Sequence, residues 1–575
     1  MKDFLLVFRV LYRNRYAVEK ESNSGKRRLT KPTVMLLSLL PMVAAICVML
    51  GFAASELTTR YSAMTLLNAI LSAVQLFILF MTLPTVMSTL YASEDAAFLA
   101  SLPLRTTSVF FAKLLLVYIS ALKIAAVLLL PSMLTVSVTY SAFGNPMFYG
   151  FFPLILLIIA AAPLLPLFIV VLFSLPVMWI SSRLKGRATV KTVFSLLFYI
   201  VLMAAYMVLV FFINTEGFGQ NGNIVSDTAL EGLRLLSDVM YPNTVLMSMC
   251  LGIDAAVNFG ISLAIWAGLI IATVVFAMLF YRRISSRRIE APAEEGHAAP
   301  VYKRRRLVIS LVVKDFLTIM RDPSAAMGTF SNIVLAPIVM VVMYFFISGD
   351  GDRTMSEFAT DMMMRGIVLI YPVIFLCGTN MVAMTAYSRE GESFFVAKAL
   401  PIPAKTSVNA KLLFSLMSSG AALAVIFVLS AALYRIGVGS SVAIVLVSLL
   451  FGTGSGALHI YFDIKKGNVH WKSQSDMRAG AGGGITALIP MLICILPAIG
   501  FVIAGIFMAG LEDAMGRDGV LALYWCLIIL VSAAVAAAGL YILYEKGVPL
   551  YDKIGENRAV QKSRLVNIGK NGFLR

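Results

Sequence analysis

The sequence contains few charged residues and few of the residues that form metal sites or disulfide bonds. Only 13% of its 575 residues are charged, it has three histidines and five cysteines, and no two cysteines form a C-x-x-C pair. In an average soluble domain about a quarter of the residues are charged. The composition therefore excludes a soluble globule, and we predict neither a metal site nor a disulfide framework.

The sequence also lacks a phosphate-binding loop and a cleavable signal. No G-x-x-x-x-G-K-[ST] motif occurs in the chain. The first fifteen residues carry charges at Lys2, Asp3 and Arg9 and are not followed by a small-residue cleavage site. We therefore expect no ATP hydrolysis by this chain alone and no cleaved signal peptide.

Hydrophobic residues make up 60% of the chain, and they occur in long runs. A bilayer crossing needs about 20 apolar residues in a helix. The runs predict an all-α polytopic membrane protein with about twelve transmembrane helices, six in each half of the chain. The predicted spans are 33–54, 65–90, 108–140, 148–181, 191–213, 260–281, 324–348, 363–386, 408–434, 440–462, 485–509 and 519–544.

The distribution of positive charge predicts that both termini are cytoplasmic. With the amino terminus inside, the predicted outer segments hold only six of the 47 lysines and arginines. Basic segments stay in the cytoplasm, where anionic lipid attracts them. The net charge of +17 is thus explained by membrane topology, and no nucleic-acid partner is predicted.

The two halves of the chain resemble each other. We divide the chain into a first half at 1–290, a basic cytoplasmic linker at 291–305 and a second half at 306–575. The stretch 2–5 (KDFL) recurs at 314–317, and 94–115 aligns with 392–413, so that Glu94 pairs with Glu392 and Lys113 with Lys411. Six spans in each repeat predict two parallel halves related by an axis along the membrane normal.

Each half has an acidic cluster, a short apolar stretch and Leu-Pro after its second span. Since proline cannot continue a helix comfortably, the pattern predicts a short helix along the cytoplasmic surface that ends at Leu-Pro. The alternative is an ordinary interfacial loop, whose carboxylates cap helices and pair with lysines such as Lys113 and Lys411. Both interpretations stay open on the residues alone.

The two segments YASEDAAFLASLPLRTTSVFFAKLL and YSREGESFFVAKALPIPAKTSVNAKLL resemble the cytoplasmic loop of ABC-2 type permeases, the membrane subunits of ATP-driven exporters. The resemblance covers nearly the whole chain in topology but only these stretches in sequence. It implies connecting helices at 1–14 and 307–322 and coupling helices, which dock against an ATPase, at 92–103 and 390–401. The implied coupling-helix residues are Glu94, Asp95, Leu102, Pro103, Glu390, Glu392, Leu400 and Pro401, and the implied connecting-helix residues are Lys2, Asp3, Phe4, Arg9, Lys314, Asp315, Phe316 and Arg321.

The resemblance also implies partners and a location. Two copies of a separate ABC ATPase would bind ATP and Mg, while this chain would hold no cofactor. The location would be a bacterial inner membrane, with membrane lipids as further partners. The expected function is a permease that moves a hydrophobic or amphipathic substrate, such as a lipid, peptide or drug, outward between the two halves.

Two other functions remain open: an ion-coupled twelve-span carrier and a membrane scaffold without transport. A carrier normally needs a carboxylate or histidine buried at membrane depth. None is evident, because every Asp and Glu lies in a predicted loop or at the end of a span. Lys123 lies well inside a span, where it either contacts an anionic substrate or snorkels to the membrane surface.

Proline and glycine add local expectations. The prolines of span 148–181 predict a kink or a break in that span. The glycines at 452, 454 and 456, together with the run at 480, 482, 483 and 484, predict close packing between helices and a hinge.

Overall fold

The structure is a computed structural model, and every regular element that it describes is helical. It describes residues 2–16, 104–142, 151–183, 255–276, 306–321, 357–378, 380–467, 469 and 485–554, with scattered positions between 67 and 102 and between 326 and 340. The predicted all-α class is confirmed.

Seven of the described helices are long and apolar enough to cross a membrane. They coincide with the predicted spans 108–140, 148–181, 363–386, 408–434, 440–462, 485–509 and 519–544. The other predicted spans lie wholly or partly outside the described residues. The seven candidate spans are Thr107–Thr139, Ile155–Leu172, Asp361–Gly391, Ala404–Ala432, Val438–Lys466, Ile489–Ala509 and Glu512–Asp552.

The chain forms two compact units. The first unit comprises residues 1–301, 321–327 and 345–352, and the second comprises residues 302–320, 328–344 and 353–575. In the first unit the described helices are α1 (Lys2–Tyr16), α2 (Thr106–Ala142), α3 (Phe151–Ala161), α4 (Leu164–Arg183) and α5 (Ala255–Phe276).

The amphipathic helix α1 packs against α2 in the first unit. Helices α3 and α4 occupy the single predicted span 148–181, and a turn at residues 162–163 separates them. Pro163 has no N–H to donate, so a continuous helix would lose a hydrogen bond there. The predicted break is therefore confirmed. The Tyr118 hydroxyl of α2 connects α2 to α3 by donating a hydrogen bond to the Ala160 carbonyl at 2.7 Å.

The second unit begins with a helix that corresponds to α1. Its described elements are α6 (Leu307–Met320), α7 (Glu357–Tyr371), a π-helical turn (Pro372–Gly378), α8 (Met381–Met384), a 3₁₀ turn (Ser388–Ser393), α9 (Phe394–Ala399), α10 (Ala404–Ala432), α11 (Val438–Lys466), α12 (Ile485–Ala509), α13 (Glu512–Tyr541), a π-helical turn (Ile542–Gly547) and a 3₁₀ turn (Val548–Lys553).

Helix α9 ends where the Leu-Pro pattern predicts. Leu400 has extended backbone angles, with φ −81° and ψ 145°. Pro401 enforces this, because a proline ring clashes with a helical residue before it. The chain then enters α10 after Pro403.

Helix α11 is the central element of the second unit, since it packs against α10, α12 and α13. A Cβ atom added at Gly454 would lie 2.5 Å from the Val535 carbonyl oxygen of α13. Opposite it, a Cβ at Gly539 would overlap the Gly454 carbonyl. The predicted close packing is confirmed, and α11 runs unbroken through these glycines. The second glycine run, at 480–484, lies outside the described residues, so the hinge stays a prediction.

Candidate functional site

A cluster of buried charges joins three elements of the second unit. The Lys411 ammonium on α10 lies 2.9 Å from the Asp315 carboxylate on α6. It also pairs with Glu390, in the 3₁₀ turn before α9. The side chains of Lys411, Asp315 and Glu390 are only 4%, 2% and 6% exposed. Lys314 is 41% exposed and forms an ion pair with Glu390 at 2.9 Å on the exposed side of the cluster.

The pairing explains why these charges tolerate burial. Removing an ion from water costs several kcal/mol even after the protein relaxes, and only close opposite charges offset this cost. Each carboxylate of the cluster has an ammonium group within ion-pair distance. The cluster therefore fixes the position of the 3₁₀ turn against α6 and α10, because moving one member would leave the others unpaired.

A third carboxylate fixes the same turn to α11. Asp463 is fully buried. Its Oδ2 accepts hydrogen bonds from the backbone N–H groups of Tyr387, at 2.6 Å, and Ser388, at 3.1 Å. The Ser388 hydroxyl donates to its Oδ1 at 2.5 Å. The turn is thus held on one side by the ion cluster and on the other by α11.

Arg389 belongs to the same 3₁₀ turn as Glu390. Its Nη1 donates to the Thr385 hydroxyl at 3.3 Å and to the Val382 carbonyl at 3.4 Å. The guanidinium also lies 5.7 Å from the centre of the Phe414 ring, in cation–π geometry. Arg389 interacts electrostatically with Asp315, Glu390 and Asp463 and so balances part of their negative charge.

Aromatic side chains close the site beneath α9. The rings of Tyr387, Phe394 and Tyr551 contact one another edge to face, with centroids 5.6 to 5.9 Å apart. The Tyr387 hydroxyl is 3.1 Å from that of Ser407. Lys398 of α9 donates to the Asp552 carbonyl near the end of the described chain. These contacts leave α9 little freedom to move independently of α10 and the 548–553 turn.

The outer face of α9 is apolar. Phe395, Val396 and Leu400 are 40%, 68% and 54% exposed, whereas Phe394 on the inner face is completely buried. We call the exposed face, formed by Phe395, Val396 and Leu400, the α9 patch. It is a rigidly held apolar surface next to a charged site.

The structure places the predicted site residues in two sets, an inner set that is buried in the ion cluster and an outer set that is exposed. Asp315 and Glu390 are buried in the ion cluster, which supports the lysine-pairing interpretation for Glu390. The outer set is exposed and comprises Arg9, Leu102, Lys123, Phe316, Arg321, Leu400 and Pro401. Phe4 is half-buried on α1, and Lys314 closes the cluster. Glu94, Asp95 and Pro103, and the side chains of Lys2, Asp3 and Glu392, lie outside the described residues.

One expectation from the sequence is corrected by this geometry. His459 lies within the predicted span 440–462 and is buried on α11, so the expectation that no histidine is buried within a span is wrong. Asp463 is also buried, but it lies in the last turn of α11, which ends at Lys466, and so keeps its predicted place at the end of the span. The predicted pairing of Glu94 with Glu392 stays a prediction, because Glu94 and the side chain of Glu392 lie outside the described residues.

Sequence reasoning missed Asp463 and Arg389. One sequence feature could have indicated a buried charged site here. It is the run Tyr387-Ser388-Arg389-Glu390, in which a basic and an acidic residue directly follow an apolar span. A charged pair at that position requires buried partners from other helices. Their identity depends on tertiary packing, which the spacing alone does not reveal.

These features define a multi-pass α-helical membrane protein with a charged site at one end of its second unit. A family model described as "Membrane protein of 12 TMs" matches residues 29–546, and the chain belongs to this family. The predicted number of twelve spans is therefore confirmed. No curated protein and no solved structure matches the chain.

The family match corrects the resemblance to ABC-2 type permeases. No ABC-2 family matches the chain, so that identification is wrong. The motifs that suggested it are short, and the structure accounts for their polar residues Glu390 and Lys411 by a buried ion pair. Buried pairs of this kind arise wherever a loop must be fixed against membrane helices, so they do not identify a family.

Proposed function

We propose that the chain is the transporting membrane component of an exporter whose energy comes from separate ATPase subunits. The cargo is a hydrophobic or amphipathic molecule, such as a lipid, peptide or drug, and the location is a bacterial inner membrane. The single observation that carries this proposal is the α9 patch, an exposed apolar surface held rigidly against the membrane helices.

The patch has the properties of a docking surface. Contiguous exposed apolar residues near charged groups are typical of sites of protein association. The patch differs from the lipid-facing surface of a span, because α9 is only six residues long and lies between two spans. An ATPase partner fits, since the chain itself contains no phosphate-binding loop.

The buried contacts supply a mechanical route from the patch to the spans. A partner that moves α9 also moves the 3₁₀ turn next to it. That turn is fastened to α6 and α10 through Lys411 and to α11 through Asp463. A displacement at the surface is therefore transmitted to three helices together, as coupling between ATP hydrolysis and transport requires.

Copurification tests this function. The intact chain, extracted in mild detergent, should retain a protein that carries a G-x-x-x-x-G-K-[ST] loop and hydrolyses ATP. Val396→Asp should abolish this retention, because it puts a charge in the centre of an apolar contact. Val396 is 68% exposed, so the melting temperature of the chain should not change.

Met515→Asp is the matched control. Met515 is 51% exposed at the opposite end of α13 from the ion cluster, and its substitution adds the same charge. The control should retain the ATPase. Equal retention by Val396→Asp, or no ATPase with the intact chain, would contradict the proposal.

A second function, an ion-coupled carrier, is favoured by one observation. His459 lies on the membrane helix α11 one turn from Asp463, and its Nε2 has no hydrogen-bond partner among the described residues. Buried ionisable groups of this kind mark proton and ion pathways. Against it, Asp463 already accepts three hydrogen bonds and serves as an anchor.

Reconstitution separates the two functions. The purified chain alone, in sealed vesicles with an imposed pH or sodium gradient, should not accumulate a lipophilic dye if an ATPase supplies the energy. Accumulation that His459→Gln abolishes would instead establish the carrier.

A further inference from the structure

The amphipathic helices α1 and α6 each have a face that no described part of the protein covers. On α1, Leu5, Leu6 and Val10 are 55%, 63% and 59% exposed, while Val7 on the other face is buried. On α6, Ile309 and Phe316 are 47% and 43% exposed. Three large apolar side chains on one short helix are costly to leave in water, at about 25 cal/mol for each Å².

The buried face of each helix packs against a membrane span, and this shows where the helix lies. Helix α1 packs against the span α2, and α6 packs against the span α10. The ion pair between Asp315 and Lys411 places α6 beside the first two turns of α10. Helix α6 therefore runs beside the beginning of the span α10, and α1 packs on the span α2.

Basic residues accompany both free faces. Helix α1 carries Lys2, Arg9, Arg13 and Arg15 against the single acid Asp3. Arg9 is exposed, and the 3.6-residue helical period places it between Leu5 and Leu6 on the helix surface. In the sequence, a run of four basic residues at 303–306 leads into α6, and Arg321 follows this helix. The combination repeats in both halves of the chain.

We propose that α1 and α6 bind anionic phospholipid headgroups at the membrane surface. The exposed leucines, valine, isoleucine and phenylalanine enter the boundary between headgroups and acyl chains, and the arginines contact the lipid phosphates. A helix with apolar and basic residues on one side lies in the membrane interface for this reason. The site is separate from the α9 patch and does not depend on the proposed ATPase partner.

Added tryptophan residues report directly on this contact. Leu6→Trp and Phe316→Trp chains are placed in nanodiscs that contain either dibrominated phosphatidylglycerol or dibrominated phosphatidylcholine. Bromine quenches a tryptophan only at short range, and the fluorescence of the original chain is subtracted. We expect both lipids to quench the added tryptophan, with phosphatidylglycerol effective at a lower fraction of the bilayer.

Charge removal tests the headgroup contact. Adding Arg9→Gln to Leu6→Trp should reduce the preference for phosphatidylglycerol about five-fold, the effect of one basic residue near an anionic surface. Arg9→Lys should keep most of the preference. Arg435→Gln, in the loop at the far end of α10, removes the same charge and should leave the preference unchanged.

Two outcomes would overturn the proposal. An added tryptophan that neither lipid quenches would show that the face is in water or is covered by another protein. Equal quenching by the two lipids, unaltered by Arg9→Gln, would show immersion without headgroup binding. A melting temperature equal to that of the original chain verifies that each variant is folded.

Discussion

Lys411 has the most demanding environment of the residues in the ion cluster, because two carboxylates share its single positive charge. Its Nζ atom lies 2.9 Å from Asp315 Oδ2 and also pairs with Glu390. It also lies 5.2 Å from the centre of the Tyr387 ring. The repeat aligns Lys411 with Lys113 of the first unit, which is likewise buried. Burial of the equivalent lysine in both units indicates a structural role that both halves share.

We expect Lys411→Met to lower the free energy of unfolding by about 3–5 kcal/mol, because Asp315 and Glu390 lose their shared partner while buried. Unfolding by SDS titration in detergent measures the change. Lys405→Met is the matched control on the same helix: Lys405 is exposed, and its substitution should change stability by less than about 0.5 kcal/mol. Adding Glu390→Gln and Asp315→Asn to Lys411→Met should recover most of the loss. A stable single variant would show that the cluster contributes little.

At the scale of elements, the contact between α11 and α13 depends on two glycines. Gly454 and Gly539 face each other so closely that neither position has space for a Cβ atom. Small residues allow such an approach, which strengthens packing between membrane helices. Gly420 on α10 differs, since a Cβ atom there would meet nothing within 4 Å.

Gly454→Ala should therefore destabilise the protein by about 1–3 kcal/mol, the usual cost of overpacking. Gly420→Ala should instead stabilise the protein by about 0.4–1 kcal/mol. Alanine reduces the conformational freedom of the unfolded chain, and the folded helix has free space for its Cβ atom at this position. Melting temperatures of the two variants, measured side by side, check the signs. Equal effects would mean that the packing of α11 on α13 is looser than the geometry indicates.

The sequence predicts elements better than it predicts contacts between them. Apolar runs locate α10, α11 and α12 within a few residues, because a membrane span needs length and composition only. The end of α9 is predictable for a local reason, the restriction that Pro401 places on Leu400. The partner of Asp463 is not predictable in this way, because it depends on how helices distant in sequence meet.

At the scale of the whole molecule, the second unit has a hydrophobic core built from its own helices. The core includes Met362 and Leu369 of α7, Phe451 of α11 and Phe501 of α12. A separate core is the physical requirement for independent folding. The whole second unit lies within residues 302–575, a range that also contains the short segments 321–327 and 345–352 of the first unit.

We expect residues 302–575, expressed alone, to insert into the membrane and to unfold cooperatively in detergent. In this shorter chain Lys411→Met should lower the melting temperature by the same amount as in the full chain, because all members of the ion cluster belong to the second unit. Parallel thermal unfolding of the four chains measures this. Failure of the shorter chain to fold, while the full chain is stable, would show that the second unit needs the first.

The glycine contact between α11 and α13 also determines whether an acyl chain can pass between these two helices. Backbone atoms of Gly454 and Gly539 meet with no room for a methyl group, and an acyl chain is wider than that. The seam between these two helices is thus sealed against lipid at this depth. If the chain exports a greasy cargo, as we propose, a lateral gate in the second unit must open along another pair of helices.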